Sequence, residues 1–142
     1  MKCKDVMKKW VVSVSPDDII QLAAMKMRDH GIGFLPVCTL DNHCVGVITD
    51  RDIAIRAVAE DQPATTKVAA VMSVETVTVD KNEELSAAED LMMRRHKARI
   101  LCTDDDGVCG VISLSDIPGY ESARRSGAVF GRVAEREAHP MR

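Results

Sequence analysis

Residues 38–53, CTLDNHCVGVITDRDI, return 64 positions later as CTDDDGVCGVISLSDI, residues 102–117. Upstream, VMKKWVVSVSPDDIIQLAAMKM (6–27) meets VMSVETVTVDKNEELSAAEDLMM (71–93) at a spacing of 65, so Met7 falls on Met72, Val12 on Val77, Val14 on Val79, Ala23 on Ala88 and Met27 on Met92. A one-residue deletion separates the two spacings, and placing it before the cysteines sets Cys38 on Cys102. The chain therefore carries two copies of one supersecondary unit, and its fold is read as a repeat.

Each copy has the same local grammar. VVSV and TVTV are β-branched and alternate with period two, which predicts a strand. Ser15, Pro16, Asp17 and Asp18 supply an N-cap, a proline at N1 and an acid at N3, and Asp80 with Glu83 gives the parallel D-x-x-E. A helix is expected after each, with Ile20, Ala23, Ala24 and Met27 on one stripe and Leu85, Ala88 and Met92 on the other. FLPVC with CVGVIT, and ARILC with VCGVIS, read as β pairs joined by turns at Asp41-Asn42-His43 and at residues 104–107. TDRDIAIRAVAE starts a closing helix. The expected architecture is α/β: two β-α-β-β-α repeats over residues 1–62 and 63–118. Neither is large enough to hide its sheet alone, so the two should pack through their sheets with pseudo-two-fold symmetry. Residues 61–67, DQPATTK, are the linker, and 119–142 form a tail expected to be helical.

Composition narrows the function. The chain has 142 residues, 46% hydrophobic and 29% charged, with aromatics only 3%, so the core must be aliphatic. A net charge of −3 gives no basic field for a nucleic-acid backbone. No stretch approaches the roughly 20 apolar residues of a membrane span, and the apolar run after the basic start is too short for a signal peptide. A cytoplasmic protein is expected, without nucleic-acid or membrane partners. The five cysteines lack the C-x₂-C spacing of zinc or thioredoxin-like sites; Cys38, Cys102 and the rest read as packed small hydrophobes, with Cys3 and Cys44 the candidates for a thiol switch. His30, His43, His96 and His139 have no mutual metal-ligand spacing, the acidic run 104–106 reads as a solvated turn, and Trp10 as a strand-edge residue. No nucleophile with its base, paired acids or metal cluster emerges, so no enzyme activity and no required cofactor are expected.

The residues of chemical interest are the two joints TDRD and SLSD. Thr49 with Asp52, and Ser113 with Asp116, have the spacing of a capping box, in which the hydroxyl and the acid satisfy two orphan backbone N–H groups at a helix start. They equally place a hydroxyl and a carboxylate side by side at the end of a strand, where a ligand can meet both.

Taken together, the V-M start, the A-x-x-x-M helix, the x-x-x-P-V strand and the G-h-h-T/S-x-x-D joint, each twice, resemble the tandem CBS (cystathionine-β-synthase-type) domain pair, or Bateman module, over residues 1 to about 118. The resemblance implies a stand-alone bacterial regulatory protein that senses an adenosine-containing ligand (AMP, ADP, ATP, S-adenosylmethionine or NAD) as effector in clefts between the repeats. The response would be a change of shape or of partner surface, in a homodimer that acts on a separate regulated protein. It further implies that the hydroxyl faces phosphate, the aspartate holds the ribose hydroxyls, and the base lies against the first strand and the x-x-P strand. The first site would then use Thr49, Asp52 and Arg51, with Val12, Val14, Phe34 and Pro36 around the base; the second would use Ser113 and Asp116, with Thr76, Thr78, Ile100 and Leu101. A carboxylate accepting two bonds from a cis-diol, and a hydroxyl beside the positive end of a helix, suit those roles. Gly46 and Gly110 suit close approach by another backbone or by the ligand. A ligand-free dimeric scaffold with degenerate clefts is the rival reading.

The copies are unequal. Arg51 and Arg56 bring positive charge to the first joint, whereas the second has Leu114 and Ser115, with Pro118 cutting into its helix. The proline at 36 is replaced by Leu101, so phosphate contacts in the second copy would fall to Arg99 or Lys97.

Overall fold

The computed structural model describes residues 1–9 and 12–119. Trp10 and the expected tail helix beyond residue 119 lie outside the described residues. A short 3-10 turn at Cys3–Asp5 is followed by α1 (Ile20–His30), β1 (Phe34–Cys38), β2 (Cys44–Thr49), and α2 (Asp50–Asp52), which runs on as a wider π-helical segment, Ile53–Val58. Then come α3 (Val68–Val71), β3 (Thr78–Asp80), α4 (Leu85–Arg95), β4 (Arg99–Asp104), β5 (Gly107–Ser113) and a 3-10 turn, Leu114–Asp116. The fold is mixed α/β, with two small sheets and two repeats, as the sequence leads one to expect.

The described residues of Val11–Thr76 form one compact unit, and those of Met1–Trp10 with Val77–Arg142 form another. A repeat in sequence is therefore not a unit in space, because each repeat's opening arm folds with the other repeat's sheet. In the continuous unit, Val47 and Ser73 exchange backbone bonds of 2.9 and 2.8 Å, so the arm adds a rung beside β2. In the split unit, Lys8 and Val111 do the same beside β5 at 2.9 and 3.1 Å. The correspondence extends along both arms: Ile20 N–H bonds Thr66 O where Leu85 N–H bonds Met1 O, and Val68 N–H bonds Asp18 O where Cys3 N–H bonds Glu83 O.

These bonds move the helix starts. Ser15 and Asp18 do close a turn, with Ser15 N–H on Asp18 Oδ2 at 2.8 Å and Asp18 N–H on Ser15 O at 3.1 Å, while the Ser15 hydroxyl accepts from Asp17 N–H. α1 nevertheless begins at Ile20 behind an extended Ile19, and α4 at Leu85 behind an extended Glu84. The expected caps at Ser15 and Asp80 are thus corrected by about one turn, because the arm binds the backbone groups that an earlier helix start would use. The helical stripes themselves are where periodicity puts them: Ile20, Ala23 and Met27 are buried on α1, and Leu85, Ala88 and Met92 on α4. Both helices end on a left-handed residue, Gly31 (φ 64°) and His96 (φ 53°), with Ile32 N–H on Met27 O and Lys97 N–H on Met92 O closing the last turn.

Two further sequence expectations change. The strand VVSV is reduced, among its described residues, to a single parallel bridge from Val14 to Val37, whereas β3 pairs with β4 over three residues. Proline explains the difference. Val14 N–H bonds Pro36 O at 3.1 Å and Cys38 N–H bonds Val14 O at 2.8 Å, so the next rung would run from residue 36 to Val12 O, and Pro36 has no N–H. The equivalent rung in the other copy exists, from Leu101 N–H to Val77 O at 3.0 Å. Second, Cys38 and Cys102 are not equivalent. Val37 faces Gly46 and Cys102 faces Gly110, so Cys102 matches Val37 and Cys38 matches Thr103. The deletion lies in the turn between the strands, where the chain tolerates it, and not inside a ladder.

The cores are aliphatic. Leu35, Val37 and Ile48 pack with Ala23, Met27, Val68 and Val71 in one unit, and Ile100, Cys102 and Ile112 with Cys3, Ala88, Met92 and Leu114 in the other. Gly46 is required by the arm: a Cβ there would lie 2.6 Å from Ser73 O and 3.0 Å from Met72 Sδ. At Gly33 the three nearest atoms to an added Cβ all belong to the Asp50 carboxyl group, the closest at 2.6 Å, and that exposed side chain can swing away. Gly46→Ala should therefore destabilise by about 1–3 kcal/mol through forced displacement of the arm, and Gly33→Ala by less. Urea denaturation of both variants checks this, and the reverse ranking would refute the role assigned to the arm.

Candidate functional site

β2 ends at Thr49 with extended backbone, and α2 starts at the next residue. Thr49 Oγ1 accepts from Asp52 N–H at 3.0 Å, and Asp52 Oδ2 accepts from Thr49 N–H at 3.0 Å. The capping box read from the sequence is thus formed in full. Asp52 Oδ1 lies 3.9 Å from Arg56 Nε, and the Asp52 side chain is 15% exposed. Thr49 and Asp52 are brought together; Arg51, one residue away, is exposed.

Arg56 does something the sequence did not suggest. Its Nη1 donates to Val71 O at 3.3 Å and Met72 O at 3.1 Å. These are carbonyls at the C-terminal end of α3, where a cation completes orphan acceptors and opposes the helix dipole. Arg56 thus joins Asp52 to the exchanged arm, and its charge is shared with that arm.

The other residues named for the first site lie in the same unit. Phe34 faces Thr49, and Pro36 faces Val47, across the β1–β2 ladder. Pro36 is fully buried, and it alternates along β1 with the core residues Leu35 and Val37. Val14 is a core residue, and Val12 is half-buried against that core.

The second joint is built differently. Asp116 Oδ2 accepts from Ser113 N–H at 3.2 Å and from the Ser113 hydroxyl at 2.9 Å, and Ser113 Oγ lies 3.0 Å from Ser115 Oγ. The hydroxyl hydrogen is committed inside the cap. Lys8 Nζ, from the arm, is 3.9 Å from Asp116 Oδ1, at a carboxylate 20% exposed. The turn stops at Asp116, and Ile117 is extended (φ −78°, ψ 126°), as a residue before proline prefers. Ile100 is 1% exposed and its side chain belongs to the core; Leu101, which corresponds to Pro36, faces Val111. By register, Val12 and Val14 correspond to Val77 and Val79, and the proposed Thr76 and Thr78 alternate with these. Thr76 closes the continuous unit, while Thr78 lies in the split one.

Among the described residues, no three His, Cys, Asp or Glu side chains gather as a metal site, and no helix is long and apolar enough to cross a membrane.

Comparison with known proteins gives these joints their context. The CBS domain family matches the chain twice, over residues 3–58 and 68–120. The CBS domain-containing protein YhcV of Bacillus subtilis is 33% identical over 137 residues, covering 96% of this chain and 97% of that protein. The crystal structure of Hypoxic Response Protein I with two coordinated zinc ions superposes with a TM-score of 0.75 at 26% identity, covering 83% of this chain and all of that one. The CBS domain pair of protein MJ0100, in complex with 5′-methylthioadenosine and S-adenosyl-L-methionine, shares the fold with a TM-score of 0.73 at 23% identity, over 89% of this chain and 97% of its own. With two family matches that together take in both joints, and a relative matched over nearly its whole length, the chain belongs to the CBS-domain family as a tandem pair.

Proposed function

We propose that this CBS pair is a regulatory, non-enzymatic module that binds an adenosine-containing ligand at the first joint. The observation that carries the reading is the missing rung at Pro36. Leu101 N–H occupies Val77 O in one copy, and the corresponding N–H does not exist at Pro36. The Val12 carbonyl is thereby left to a donor from outside the ladder, and the exocyclic amine of adenine is such a donor.

The joint chemistry supports the same ligand class. An ionised carboxylate offers about four lone-pair sites. Asp52 spends one on Thr49 N–H and can accept the two hydroxyls of a ribose. Thr49 uses its oxygen as an acceptor and keeps its hydrogen to donate toward a phosphate oxygen or the carboxylate of a methionyl tail. Arg51 supplies positive charge beside it. MJ0100, of the same fold, is in complex with 5′-methylthioadenosine and S-adenosyl-L-methionine, which supports adenosyl ligands as the class to test. The ligand site set is thus Thr49, Asp52, Arg51, Val12, Val14, Phe34 and Pro36. Ser113, Asp116, Thr76, Thr78 and the Ile100 backbone form a weaker second set. Occupancy is transmitted by a change of shape or partner surface in a cytoplasmic homodimer.

A second reading, a scaffold whose sites no longer bind, is favoured for the other copy by the Ser113 hydroxyl bonded into its own cap and by the closed rung at Leu101.

Thermal denaturation with AMP, ADP, ATP, S-adenosylmethionine and NAD separates the two. A ligand at a hundredfold over its Kd stabilises by about 2.7 kcal/mol, so at least one should raise Tm. Asp52→Ala should remove the shift and Asp116→Ala should leave most of it. No shift with any of the five at millimolar concentration would sink the sensor reading. Pro36→Leu isolates the rung: the new N–H should compete for Val12 O, weakening binding by about 1 kcal/mol, roughly fivefold in Kd, without loss of stability. Calorimetric titration of that variant measures it, and unchanged affinity would place the base elsewhere.

A further inference from the structure

Cys38 and Cys44 are opposed across the β1–β2 hairpin. The register slips by one residue between Val37 and Cys38, and this bulge makes Cys38 the partner of Cys44. Opposed residues of an antiparallel pair have Cα atoms roughly 4.5–5.5 Å apart, inside the range of about 4.4–6.8 Å that a disulfide spans. Both are free thiols, Cys38 buried and Cys44 partly exposed. Each thiol acts on the other, and the two are not alike. The neighbouring Cys44 sulfur, with burial adding to the effect, holds the Cys38 thiol far above its ordinary pKa. The Cys44 thiol donates to Gly46 O at 3.3 Å, and its interaction with Cys38 draws it below its ordinary value against the cost of burial, helped by the backbone at Gly46 and Val37 and by the charge of His43.

The other three cysteines are poor nucleophiles by comparison. Burial pushes Cys3 and Cys109 up and Cys102 up to about 12. The second hairpin has no equivalent pair, since its matching positions are Thr103 and Val108.

We infer that Cys38 and Cys44 form a reversible intramolecular disulfide that staples the β1–β2 hairpin, made by exchange with a small disulfide of the glutathione type. The Cys44 thiolate attacks one sulfur of glutathione disulfide; that S–S bond breaks, a mixed disulfide forms on Cys44, and one glutathione thiolate leaves and takes up a proton. Cys38 then gives up its proton and attacks the Cys44 sulfur, the mixed disulfide breaks, and the second glutathione leaves. Two protein thiols are oxidised and one glutathione disulfide is reduced to two glutathione thiols. The staple closes the hairpin that carries Pro36 on one strand and Thr49 on the other, and it is independent of whether an adenosyl ligand binds.

The full chain should be incubated with glutathione disulfide without air, quenched in acid, cut on the N-terminal side of Asp41 and weighed. The expected product joins the Cys38 and Cys44 peptides until dithiothreitol is added. Cys38→Ser should stop at a glutathione adduct on Cys44, and Cys44→Ser should give neither adduct on Cys38 nor bridge. In the unmodified chain, which needs no variant to fold, limiting iodoacetamide should label Cys44 ahead of the other four. Absence of the bridge, first labelling of Cys109, or a bridge that survives Cys44→Ser would each overturn the inference.

Discussion

Both units depend on one backbone arrangement, the rung that an arm from the opposite repeat adds to the outer edge of the sheet. Val47 with Ser73, and Val111 with Lys8, cover strand edges that would otherwise offer unpaired N–H and C=O groups to any passing chain. The rung is possible because the strand residue before it, Gly46 or Gly110, carries no Cβ. The arm's methionine, Met72 or Met7, lies where that atom would be. A glycine inside a strand is normally a weakness; here the position is occupied by a neighbour, and the cost is offset by the pairing it permits.

The arm also links the sheet edge to the joint. In the continuous unit, Arg56 reaches from the helix after TDRD to the carbonyls of Val71 and Met72, while its Nε stands near Asp52. In the split unit the cation near the aspartate, Lys8, is itself part of the arm. Each aspartate therefore has a counter-charge that belongs to, or is tied to, the exchanged segment. A ligand that drew the aspartate away from that charge would act on the arm as well as on the joint.

Periodicity carried a good deal of this. The helical stripes, the hairpins, the caps at Thr49 and Ser113 and the need for glycine at 46 and 110 are local properties, and they were legible. The parts that were not legible are non-local. The helices start late because extended residues Ile19 and Glu84 pair with arms about 48 and 82 positions away, a partnership that no local pattern announces. Cys38 was matched to Cys102 because identical residues outweighed register, and only the ladders show the deletion in the turn. Arg56 reads from the sequence as charge for the first joint, because the carbonyls it binds are set by the arm and not by neighbouring residues.

Pro36 shows how a residue can be seen and its consequence still missed. Its replacement by Leu101 is plain in the sequence, yet proline there means little until the first strand is known to run parallel beside it. Once that register is fixed, the first-strand ladders of the two copies differ by one rung. One copy satisfies its first-strand carbonyl from within, through Leu101 N–H, and also turns its serine hydroxyl inward onto Asp116. The other has no N–H to give at Pro36, and its threonine oxygen acts as an acceptor, leaving its hydrogen for something else. Two independent polar groups thus differ in the same sense between the copies. Buried or half-buried polar groups are seldom left without partners, and this asymmetry is what the proposal of a ligand at the first copy rests on.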